Sequence, residues 1–150
     1  MTKYNLAQLN IARMKAPIDD PLMADFAAQL DEVNALADNS PGFIWRLIGE
    51  SGDATDIRAF NDPTILVNMS VWESVDSLRS YAYQGHHLEV FQNRKQWFDR
   101  LDGPHMVLWW VPEGHIPTIA EAEEKLDTLA RLGPTPAAFT FPKRFDPPIE

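Results

Sequence analysis

Ile65-Leu-Val-Asn-Met-Ser-Val-Trp72, followed by Glu73-Ser-Val-Asp-Ser-Leu78, is the stretch whose reading decides the fold. Its first eight residues alternate. Ile65, Val67, Met69 and Val71 form an entirely apolar face, and Leu66, Asn68, Ser70 and Trp72 form a mixed one. That period of two, carried by β-branched residues, predicts a strand. Ser74 then reads as a helix N-cap, with Asp76 in the first turn where the helix dipole favours an acid. Val75, Leu78, Ala82, Leu88, Phe91 and Phe98 fall broadly on one stripe, with Tyr81 near it. This predicts a long amphipathic helix with His86 and His87 in its middle, and Gly85 marks a possible bend.

Working outward, Tyr4 to Arg13 is a second alternating segment. Leu6, Gln8 and Asn10 share one face, and Ala7, Leu9 and Ile11 share the other. Amides, not charges, punctuate the less apolar side. Asp20-Pro21 is a helix start, with Asp as the cap and Pro at the first helical position. Leu22, Phe26, Leu30, Val33 and Ala37 follow at three- and four-residue steps until Asn39-Ser40-Pro41-Gly42. Phe43 to Ile48 reads as a strand and Gly49 to Pro63 as a polar connector. Met106 to Val111 is a strand apolar on both faces. Thr118 and Glu121 make a capping box for a further helix with Leu126 and Leu129 in its stripe, stopped at Gly133-Pro134. In the proline-rich tail, Phe139, Phe141 and Phe145 are candidates to pin the segment to the body or to a partner.

The chain has 150 residues, enough for one domain over residues 1–150 with a good core. It has no cysteine, which excludes disulfide and thiolate chemistry and fits a cytoplasmic setting. A net charge of -9 with scattered Lys and Arg argues against nucleic acid as a partner. No apolar run is long enough to span a bilayer, so no membrane partner is expected. HExxH and paired-ligand spacings are absent, as are phosphate loops and dinucleotide fingerprints; no metal or cofactor is expected.

Strand, helix, strand, strand, helix, strand, then an added helix and tail, is the order of an α+β ferredoxin-like βαββαβ plait. Helices cover one face of such a sheet. Here the strands lack a wet face, so the second face needs a cover, and a second copy of the same sheet is the economical one. The expectation is a homodimer with two sheets face to face, a dimeric α/β barrel.

Val71-Trp72-Glu73-Ser74, with Leu78, Tyr83 and His87, resembles the signature of the antibiotic-biosynthesis-monooxygenase-like proteins of the dimeric α/β-barrel superfamily. Over most of its length the chain is similar to a bacterial domain-of-unknown-function branch of that superfamily. The matching stretches are Leu6 to Ala12, Phe43 to Leu47, Asn68 to Ser74, Leu108 to Pro112 and Gly133 to Phe141. The resemblance implies a cofactor-independent monooxygenase-like protein that binds a small aromatic or polyketide-like ligand between sheet and helices. As alternatives behind this reading it admits a non-catalytic small-molecule-binding or stress-response barrel and, further behind, a haem-binding or haem-degrading branch in which Asn10, Trp72 and His87 would take the Asn, Trp and His parts.

His86 and His87 point about 100° apart on a helix, so both cannot face the sheet. His87, flanked at four-residue steps by Tyr83 and Phe91, is the expected inward one and the candidate general acid or base. Asn10 and Asn68 are candidates to hold a ketone or enol oxygen, with Ser70 beside them. Trp45, Trp72, Tyr83 and Trp109 are the expected walls of the ligand site. Each has a structural alternative: a buried neutral imidazole, a cross-strand amide pair, core filling. Arg46 and Arg58 are expected to pair on the surface with Glu50 or Asp56.

Overall fold

The computed structural model describes residues 3–17, 19–47, 64–82, 94–99, 101 and 103–148. The elements are β1 (Tyr4–Met14), α1 (Ala24–Asp38), β2 (Phe43–Arg46), β3 (Ile65–Trp72), α2 (Val75–Ala82), β4 (Phe98–Asp99), β5 (Met106–Pro112) and α3 (Ile119–Leu132). β1 is central. It pairs with β3 on one edge and with β5 and the short β4 on the other, while β2 flanks β3, and every pairing is antiparallel. Setting β4 aside, this is the β2-β3-β1-β5 order of a ferredoxin-like plait. The α+β reading of the sequence holds.

Local chemistry starts each helix where the sequence puts it. A single 3-10 turn at Pro21–Met23 opens into α1, and the Asp20 carboxylate accepts the Leu22 N–H at 2.9 Å. Ser74 Oγ accepts the Ser77 N–H at 3.1 Å, capping α2. Gly42 adopts φ +82°, and a Cβ there would collide with Ser77 at the start of α2. Its carbonyl also accepts the Glu73 N–H at 2.8 Å, so this glycine lets the β2 turn sit against the β3–α2 junction. The stripe assigned to α2 does not extend to Phe98, which pairs with Met14 as part of β4. Gly85, His86, His87, Leu88 and Phe91 lie outside the described residues.

The two faces of the sheet are covered by different parts of the same chain. On the near face, Leu6, Trp72 and Leu108 pack with Ala37 of α1, Val75 and Leu78 of α2 and Phe139 of the tail. Met14, Met23, Phe26 and Trp97 form a second near-face cluster with Leu30 and Leu66. On the far face, Ala7, Leu9, Val67, Met69, Val107 and Trp109 belong to one cluster with Ala122, Leu126 and Leu129 of α3. From the sequence, this far face is expected to meet a twin subunit. Within one chain α3 covers the centre of this face, whose core residues are at most 6% exposed, while Ile11, Trp45 and Leu47 at its margin are only partly buried.

After α3 the tail rounds the outer edge of β5. Leu108 and Phe139 exchange backbone hydrogen bonds of 2.8 Å in each direction, so Phe139 caps that edge like a one-residue strand. Trp110 Nε1 donates to the Phe145 carbonyl at 2.8 Å, and Arg144 reaches Asp76 at the start of α2 at 3.2 Å. The three tail aromatics thus belong to the near-face core, as the sequence suggested.

Candidate functional site

The break between the two near-face clusters is filled by polar side chains. Strand register sets Leu6 opposite Trp72, Gln8 opposite Ser70 and Asn10 opposite Asn68. Period-two alternation puts all six on one face. Gln8 Nε2 donates to Asn68 Oδ1 at 2.7 Å and to Ser70 Oγ at 2.8 Å. Trp72 Nε1 donates to the same Ser70 oxygen at 2.8 Å. The result is a neutral amide–hydroxyl–indole row across β1 and β3.

Exposure grades along this row. Trp72 is 0%, Gln8 4% and Ser70 6% exposed. Asn10 is half-buried and Asn68 is exposed, so the row opens to solvent at its amide end. Its closed end is aromatic. Trp72 stacks on Tyr81 with ring centres 5.2 Å apart, and Phe43 meets Trp72 edge-on at 5.4 Å. The Tyr81 hydroxyl donates to the Val33 carbonyl of α1 at 3.1 Å. Burial holds the Tyr81 phenol far above its usual range; Asp38 adds to this and Arg46 opposes it.

Of the residues singled out in the sequence, Asn10, Asn68, Ser70 and Trp72 come together here. Trp45 and Trp109 do not. Trp109 lies opposite Ala7 on the far face, and Trp45 packs on the same far cluster. The expectation that three tryptophans wall one cavity fails because Trp72 and Trp109 sit on strand positions of opposite parity relative to β1. Trp109 serves α3 instead: its Nε1 donates to Glu121 Oε2 at 2.9 Å, while Glu121 Oε1 meets His115 Nε2 at 2.7 Å. The capping box is therefore half-formed, with Glu121 N–H on Thr118 Oγ1 at 3.1 Å and its carboxylate diverted to the indole and imidazole. Arg46 pairs with Asp38 at 2.8 Å. His87, Tyr83, Glu50, Asp56 and Arg58 lie outside the described residues. A separate open groove of about 310 Å³ follows β2, lined by Asp38, Phe43, Ile44, Trp45, Arg46 and Leu47.

Gln8 is the member of the row that the sequence reading placed on the right face without assigning it to the site. Its signal was present: an amide two residues before Asn10, on the side of the strand where polar groups need partners.

A ferredoxin-like α+β protein with a polar row set into its helix-covered sheet face is the class these features define. The chain belongs to the DUF3291 family, a domain of unknown function, whose model matches residues 5–150. No curated protein matches it. Among solved structures, a conserved protein from Methanosarcina mazei Go1 is similar at 13% identity over 71% of this chain and 90% of that one, with a TM-score of 0.51. A proposed antibiotic biosynthesis monooxygenase from Nitrosomonas europaea is similar at 15% identity, 77% and 93% coverage and TM-score 0.49. SnoaB, a cofactor-independent oxygenase from Streptomyces nogalater, follows at 16% identity, 76% and 95% coverage and TM-score 0.45. No helix among the described residues is long and apolar enough to cross a membrane.

Proposed function

We propose that this protein binds a small aromatic or polyketide-like molecule between the near face of its sheet and helices α1 and α2, with Asn10 and Asn68 at the mouth of the site and Ser70 and Trp72 at its floor. The observation that supports this is the split in the near-face core. A sheet whose far face packs as one apolar cluster has, on its near face, two clusters parted by neutral hydrogen-bonding groups that reach solvent. An apolar site with a few convergent polar groups is the usual make-up of a small-molecule pocket.

The finer reading is a monooxygenase-like reaction without a bound cofactor. The ligand's carbanion would supply the electrons that reduce dioxygen, His87 would move the proton, and Asn10 and Asn68 would hold the oxygen function. A binding protein without turnover is the second reading, favoured by one feature: no member of the polar row ionises near neutral pH. A cytoplasmic homodimer is part of the first reading.

A thermal-shift screen against phenols, hydroxy-ketones and quinones tests the binding site. The Asn10→Ala/Asn68→Ala pair should cost about 1–2 kcal/mol of stability, because Gln8 Nε2 loses its Asn68 acceptor, yet leave the fold intact and abolish the shift of any hit. Hits that survive the pair would place the ligand elsewhere. Oxygen uptake then separates the two readings. An enzyme loses uptake in His87→Ala while keeping the ligand shift, and a binding protein shows none in either form.

A further inference from the structure

The row carries a hydrogen-bond polarity, and we infer that Gln8 uses it to select ligands bearing a hydroxyl group. This rests on the ligand site proposed above. Both hydrogens of the Gln8 amide are spent, on Asn68 Oδ1 and on Ser70 Oγ. The amide is held at two points, so its orientation is fixed. Ser70 Oγ accepts from Gln8 and from Trp72, which occupies both of its lone pairs. Two groups remain: the Gln8 carbonyl oxygen and the Ser70 hydroxyl hydrogen. No described residue bonds to either one, although Gln8 and Ser70 are only 4% and 6% exposed. Leaving such groups unpaired in a buried place is costly, so a ligand that satisfies them is favoured.

The amide that carries this carbonyl is itself hydrogen-bonded to Ser70, so the donor and the acceptor are neighbours in the row. A single ligand hydroxyl satisfies both, accepting from Ser70 and donating to the Gln8 carbonyl. A phenol, enol or alcohol fits. An ether, a quinone carbonyl or a carboxylate offers only acceptors and would set its oxygen against the Gln8 oxygen. The site therefore takes the hydroxylated, neutral form of a ring system and rejects its acceptor-only counterparts.

Matched probes test this on the full chain: 1-naphthol, 1-methoxynaphthalene and naphthalene, titrated by calorimetry. Naphthol should bind at least roughly tenfold more tightly than its methyl ether. In Gln8→Leu the two should come within about twofold of each other, since the discriminating acceptor is gone. Should that variant fold poorly, the wild-type protein still decides: the Gln8 side-chain carbonyl carbon signal in NMR should move with naphthol and stay put with the ether. Equal affinities in the wild type would leave the ligand site standing and overturn the role of Gln8. Tighter binding of the ether would overturn it too, by showing that an N–H is what the site presents. Failure of all three probes to bind would remove the ligand site itself, and the inference with it.

Discussion

On the far face of the sheet, Ala7, Leu9, Val107 and Trp109 meet Ala122, Leu126 and Leu129 of α3 within one unbroken apolar cluster. On the near face, Leu6, Trp72 and Leu108 are cut off from Met14, Phe26 and Trp97 by Gln8, Asn10, Asn68 and Ser70. The same strands make both faces. Because side chains alternate, each strand can commit one face to cohesion and the other to recognition without compromise between them. An unbroken face contributes stability through area removed from water. An interrupted face gives up some of that area for groups that can be exchanged with a ligand. Stability and binding should therefore respond to different substitutions.

The largest effect should come from the far face. Leu126→Ala removes a side chain 6% exposed from the contact between α3 and the sheet, and should cost about 2–5 kcal/mol, read by urea unfolding. Any ligand shift corrected for that loss should remain. A cost below about 1 kcal/mol would break the comparison, because it would mean that α3 is not what keeps the far face dry in solution.

This face is also where the sequence was least legible. Alternation in Tyr4–Arg13 and Ile65–Trp72 showed which residues share a side, and the caps at Asp20, Ser74 and Thr118 showed where helices begin. Those are local signals. That α3 folds back over the sheet is not local: Ala122, Leu126 and Leu129 make a stripe, but nothing in a stripe says what it covers. Alternation reads two dry faces, and with helices expected on one face only, the second is expected to meet a twin; that α3 covers its centre needed the fold. Trp109 was misplaced for a related reason. Its parity relative to Trp72 depends on the register of β5 against β1, which side-chain pattern alone does not supply when both faces of a strand are apolar. Asn68, Ser70 and Trp72 shared a strand and a parity, so their grouping was readable. Gln8 needed the cross-strand pairing with Ser70 before its bonds could be seen.

A middle-sized effect is expected at the floor of the near-face row. Ser70→Ala removes the oxygen that accepts from Gln8 and Trp72, leaving two buried N–H groups short of a partner. The cost should be about 1–3 kcal/mol, smaller than at Leu126 because no large cavity opens. Ligand affinity should fall with it, in contrast to Leu126→Ala. If Ser70→Ala proved neutral in both respects, the row would be decoration on a packed face and the division between the two faces would not be functional.

The smallest effect at neutral pH, and the sharpest in its pH dependence, belongs to Tyr81. Its hydroxyl bond to Val33 should be worth about 1 kcal/mol, so Tyr81→Phe should be only mildly destabilising at pH 7. The phenol's folded pKa is raised, chiefly by burial. In the unfolded chain it ionises near its ordinary value of about 10, while in the folded chain it stays protonated to higher pH. Above that value the folded state binds more protons than the unfolded one, so stability contributed by the neutral phenol is present below about pH 10 and is lost as pH rises beyond it. Tyr81→Phe has no phenol to ionise in either state. Urea midpoints of the two proteins should therefore converge between pH 9 and pH 11 by about the pH window that linkage gives a single tyrosine. Parallel curves would show that the Tyr81 ring reaches solvent, and the closed aromatic end of the row, Phe43 against Trp72 against Tyr81, would have to be redrawn as a second opening.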